Sequence, residues 1–178
     1  DKAAQLFVVD LIAAEPVARQ PTADPEGAAH PVPTEDGRAV RYVRGVGPNE
    51  IAQEIATIDL AVTEPGTGEV VVRPGGSVEA LTAHSTGLLL LSVSTTDPTD
   101  YTARTCGLFH WDAGNGRLAR LTDADTVDID AAAGPPVVLG DQVLVAVQHR
   151  GPVELRSVPT TADNTPLAAE TTTHPFAT

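Results

Sequence analysis

Five histidines, one cysteine, a handful of serines and one dense acidic run are the residues of this chain able to do chemistry. A serine nucleophile needs a base within hydrogen-bond reach and a strained turn that presents its hydroxyl. Ser77, Ser85, Ser92, Ser94 and Ser157 all lie in strand or turn contexts, and no Gly-x-Ser-x-Gly elbow surrounds any of them. His84 and Ser85 are neighbours in sequence, which by itself creates no triad geometry. No catalytic serine is expected in this chain.

Asp123-Ala124-Asp125-Thr126-Val127-Asp128-Ile129-Asp130 alternates carboxylates in the way that can ligate calcium from one face, but it lacks the glycine and terminal glutamate of an EF-hand loop. It reads as a solvated connection. His30, His84, His110, His149 and His174 occur singly, without a His-x-x-x-His pair, and Cys106 is the only cysteine. That pattern predicts no metal site, no cofactor and no internal disulfide. Cys106 precedes a strand and is expected to pack as a small hydrophobe. Trp111 is expected to pack between structural units beside Phe109 or His110. Arg41, Arg104 and Arg150 are the arginines able to hold a peptide carboxylate if they face a shared channel.

The elements that must position these groups are short. Helical periodicity is nearly absent. Gln53 to Ala61 has helix-like spacing, but its Ile-Ala-Thr-Ile-Asp-Leu core is β-branched and predicts a strand. Elsewhere Val/Leu/Thr runs alternate with Gly/Pro/Asp clusters, and glycine and proline number 15 each. The expected class is all-β.

The runs repeat. An apolar strand ending at an aspartate, a turn and a second strand occur as Leu6–Leu11 with Pro16–Arg19, as Ile55–Leu60 with Thr67–Arg73, and as Gly107–Asp112 with Gly116–Thr122. A weaker copy is Val153–Val158 with Pro166–Ala168. The aspartates at positions 10, 59 and 112 are 49 and 53 residues apart, and Ser157 follows 45 later. Between these hairpins lie Pro31–Pro33 with Arg38–Val43, Val78–Thr82 with Leu88–Val93, and Pro136–Leu139 with Gln142–Val147. A four-strand unit recurring at roughly 40–50 residues is the period of a propeller blade. The units fall at 1–27, 28–75, 76–124, 125–170 and the start of another at 171–178. The sequence therefore predicts a β-propeller of about three and a half four-stranded blades, part of a larger ring.

Specific residues carry a family resemblance. Glu35-Asp36-Gly37-Arg38-Ala39-Val40 resembles the strand corner of TolB-type propeller repeats, with Thr34-Glu35 where that corner has Ser-Pro. Leu6–Leu11 and Leu118–Thr122 resemble the outer hairpin of the same repeats. Val143–Pro159 resembles a blade of the acylaminoacyl-peptidase and prolyl-oligopeptidase family, serine peptidase clan S9. The resemblance implies a non-catalytic propeller that restricts peptide access to an α/β-hydrolase domain lying outside these 178 residues. The parent would be a serine peptidase acting on short peptides, with a hydrolase domain, further blades or another copy of the chain as partners. The alternative is a stand-alone propeller scaffold that binds protein, secreted or periplasmic.

Charge narrows the partners. The chain has 24 acidic and 11 basic residues, a formal net charge of -13, which repels phosphate backbones and anionic lipid. Nucleic acid and membrane are not expected partners. The lone cysteine and the lack of a signal-peptide pattern point to a cytoplasmic setting. The absence of methionine and the mid-unit start predict a processed piece or an excerpt of a longer polypeptide.

Overall fold

The computed structural model describes residues 3–47, 52–94 and 105–160. These residues form an all-β structure with one helical element, a 3-10 turn at Ala131–Ala133. Strands β1 (Val8–Val9) and β2 (Ala18–Arg19) make a hairpin. Strands β3 (Ala29–Pro33), β4 (Ala39–Gly45), β5 (Gln53–Asp59) and β6 (Glu69–Val72) form a four-stranded meander, sheet I. Strands β7 (Gly76–His84), β8 (Gly87–Ser94), β9 (Gly107–Asp112) and β10 (Leu118–Arg120) form a second meander, sheet II. Sheet III joins β11 (Asp128–Ile129) and β12 (Val137–Leu139) to one edge of β13 (Gln142–Gln148), with β14 (Val153–Pro159) on its other edge.

The recurring aspartates have one local role. Asp10 Oδ1 accepts from the Ile12 N–H, Asp59 Oδ1 from Ala61 N–H and Asp112 Oδ1 from Gly114 N–H. Each carboxylate closes an Asx turn that ends a strand and starts the reversal. The corner Thr34–Ala39 uses the same device: Asp36 Oδ1 accepts from Arg38 N–H and from the Thr34 hydroxyl, and Gly37 supplies a φ of 66°. These bonds hold the Asp36 carboxyl below its ordinary range, the Thr34 hydroxyl contributing most.

Strand alternation then builds the interior. In β8, Leu88 and Leu90 face sheet I, where together with Phe109 and Trp111 of β9 they join Val32, Val43, Ile55 and Val72. Leu89 and Leu91 face the other way, onto Val143, Val145 and Val147 of β13. All four leucines are essentially inaccessible, as a strand covered on both faces requires. Sheet I is likewise covered on its second face: Val40, Tyr42, Ala56 and Ile58 meet Leu6, Leu60 and Val62. Sheets I, II and III thus pack on one another in chain order. The first strand of sheet II, β7, touches β3 and β5 of sheet I.

Two expectations change. The first hairpin is shorter than Leu6–Leu11 with Pro16–Arg19: each strand keeps two residues, because Phe7, Leu11, Ile12 and Val17 find no cover and stay exposed. The acidic run is not wholly a solvated connection. Its Val127 and Ile129 are buried, and Asp128–Ile129 pairs with Gln148–Val147. Alternating apolar residues drew that half of the run into a sheet edge. Gln53–Asp59 is a strand. The Pro166–Ala168 segment lies outside the described residues.

Candidate functional site

Most of the side chains singled out by type disperse across the fold, while His84 and His110 meet edge to face. The Ser77 hydroxyl donates to Glu79, the buried Ser92 hydroxyl to the Ser77 carbonyl, and the Ser157 hydroxyl to Gln142. His84 bonds Thr86, with no bond to Ser85 among the described contacts. The acidic run is divided among turns. Asp123 Oδ1 accepts from Asp125 N–H, Thr126 N–H and the Thr126 hydroxyl; Asp128 accepts from Cys106 N–H; Asp130 accepts from Ala132 N–H. Those bonds, the Thr126 hydroxyl first, lower the Asp123 pKa. His149 lies beside Arg156 at 3.3 Å, His30 is exposed, and Arg150 occupies a left-handed turn with φ 51°. Arg104, His174 and the side chain of Ser94 lie outside the described residues.

Cys106 is buried against Leu108 and the β13 valines, and desolvation, then Glu79 and Asp128, pushes its thiol up to about 12. It is a protonated packing group rather than a thiolate nucleophile. Trp111 packs with Phe109 in the interface of sheets I and II. Its indole Nε1 is buried without a hydrogen-bond partner among the described residues.

Two polar clusters were not visible in the sequence motifs. The first is a buried ionic knot between the hairpin region and sheet I. Arg44 Nη1 meets Asp24 Oδ1 at 2.9 Å, and Arg44 Nη2 meets Glu54 Oε1 at 2.7 Å. Arg73 Nε holds the other Glu54 oxygen at 2.9 Å. The Tyr42 hydroxyl donates to Asp24 Oδ2 and accepts from Gly68 N–H at 2.9 Å. Asp24 is 3% and Glu54 6% exposed, so neither charge could survive there unpaired. Two carboxylates meet two guanidiniums, and the knot is neutral. The β4–β5 register places Arg44 opposite Glu54, so the pair was readable once that hairpin was fixed. The distant Asp24 carried no signal. A cavity of about 460 Å³ opens beside this knot, but its one cation, Arg44, is already neutralised.

The second cluster lies where the β3–β4 turn of sheet I and the β7–β8 turn of sheet II come together. A cavity of about 550 Å³ is bounded there by Thr34, Glu35, Arg41, His84, Ser85 and Thr86, among others. The Thr86 hydroxyl joins two imidazoles: His84 Nδ1 at 3.0 Å and His110 Nε2 at 2.9 Å. The rings meet edge to face with centroids 4.9 Å apart. Thr86 N–H also points at His84 Nδ1, at 3.4 Å. Burial, then the neighbouring His84, lowers the His110 pKa. Arg41 reaches the cavity from β4 with its guanidinium 5.3 Å from the Trp111 ring centre. Of the arginines expected to hold a carboxylate, Arg41 lines this cavity. That Arg41 and His84 line one cavity was hidden because the two strands belong to different sheets.

Compared with known protein families and with curated proteins, the chain matches none. Its function rests on the arrangement above.

Proposed function

We propose that this chain is a non-catalytic stretch of a β-propeller, in which sheets I, II and III are successive blades. The observation that carries the reading is the packing of four-stranded antiparallel sheets on one another in chain order. Hydrophobic contacts alternate between the preceding and the following sheet. The near approach of β3 and β7, the first strands of adjacent sheets, suits a fan that converges on an inner edge. Val137 and Leu139 remain 53% and 54% exposed on the side of sheet III facing away from sheet II, as a face awaiting a further blade would be.

The S9-like residues supply the role. The propeller stands in front of an α/β-hydrolase domain and admits short flexible peptides while excluding folded protein. Partners in this reading are that domain, further blades or another copy of the chain, in a cytoplasmic setting.

Purified chain incubated with acyl-aminoacyl and aminoacyl nitroanilides tests the role. No hydrolysis above the rate in buffer is expected. Activity that survives repurification and tracks with the protein contradicts it.

A further inference from the structure

We propose that the cavity between the β3–β4 and β7–β8 turns binds a short zwitterionic peptide by its C-terminal carboxylate, with Arg41 as the ion-pair partner. The inference stands on the cavity, and it holds whether or not a hydrolase domain accompanies the chain.

Arg41 is set apart by its place: Arg38 and Arg150, which also lack an ion-pair partner among the described residues, are exposed. Arg44, Arg73 and Arg156 each meet a carboxylate within the fold. Arg19 spends its guanidinium on the carbonyls of Leu60 and Val62, and Arg120 on the Thr122 carbonyl and the Thr105 hydroxyl. Arg41 is half-buried, lies over the Trp111 ring and has no ion-pair partner among the described residues. The aromatic face holds the guanidinium plane in place, which reduces the rotamer entropy lost on binding. A planar fork in a cavity matches a carboxylate in two parallel hydrogen bonds.

His84 lines the same cavity. Its Nδ1 is engaged by Thr86, which leaves Nε2 as the ring nitrogen able to donate to an anion when it carries a proton. Glu35 also lines the cavity and would repel a purely anionic guest. A ligand that carries an ammonium as well as a carboxylate turns that repulsion into an attraction. The volume of about 550 Å³ accommodates a peptide of a few residues.

Calorimetric titration of the full chain with alanyl-alanine tests the proposal. The controls are the same dipeptide amidated at its C-terminus, the same dipeptide N-acetylated, and the Arg41→Gln variant with its fold checked by circular dichroism. Binding with a Kd of about 1 mM is expected, weakened about tenfold by amidation and by Arg41→Gln, and less by acetylation. Equal binding of the free and amidated dipeptides overturns the proposal without recourse to any variant. So does undiminished binding by folded Arg41→Gln, or no binding at about 10 mM ligand. Equal binding of the acetylated dipeptide overturns the zwitterionic assignment. Hydrolysis is not read in this experiment, so its outcome and that of the nitroanilide assay are separable.

Discussion

Tyr42 shows how much of this fold depends on single polar atoms. Its ring is inaccessible and its hydroxyl joins Asp24 to Gly68 N–H across the hairpin–sheet I boundary. Tyr42→Phe leaves a buried Asp24 oxygen and the Gly68 N–H without that partner, and should cost about 1–3 kcal/mol in urea unfolding. Burial first, then the bond to Asp24, pushes the phenol up to about 12. A raised folded-state pKa means the fold favours the neutral phenol. That contribution is complete below the unfolded value near about 10 and is lost as pH climbs through about 12. Spectrophotometric titration should show one of the two tyrosines ionising late, and Tyr42→Phe should remove that transition and flatten the alkaline loss of stability. The Cys106 thiol, 7% exposed and protonated, should react with a disulfide reagent at least about a hundredfold faster in denaturant than in the native protein. Equal rates would mean that the β8–β9–β13 interface is not closed.

At the scale of elements, turns set the spacing and close backbone approaches set the register. A Cβ on Gly87 would lie 2.0 Å from the Trp111 carbonyl oxygen and 3.0 Å from Ala113 N. Both are backbone atoms, so neither can rotate away. Gly87→Ala should therefore destabilise by about 1–3 kcal/mol or more. Gly66→Ala, where a Cβ meets nothing within 4 Å, is the matched control and should change stability by under about 0.5 kcal/mol. Thermal unfolding of the pair gives the comparison. Strand existence was legible because the Asx turns at Asp59 and Asp112 leave a residue-level mark and the strands between them alternate. Strand length was less so. The β1–β2 hairpin frays because exposed Phe7, Leu11 and Ile12 look the same in sequence as buried ones. Val127 and Ile129 sit among four aspartates whose charge masked a buried edge strand.

For the whole molecule, the sequence repeat predicted an all-β chain, and the described strands form one two-stranded and three four-stranded antiparallel sheets. The polar clusters were not foretold. Arg44 pairs with Asp24, and Arg41 lines one cavity with His84, because of how each sheet meets its neighbour. A single sequence records periodicity along the chain but not contacts between faces. The central claim is that sheets I and II are neighbouring blades that fan outward from an inner edge. Spin-label distances measured by pulsed electron resonance on a Cys106→Ala background test it most directly. One label pair at Glu35 and Ser85 reports the first-strand turns, and a second at Glu69 and Arg117 reports the starts of the last strands, β6 and β10. A fan predicts a clearly longer distance for the outer pair than for the inner one. Equal distances, as in two layers packed flat about 10 Å apart, would contradict the propeller.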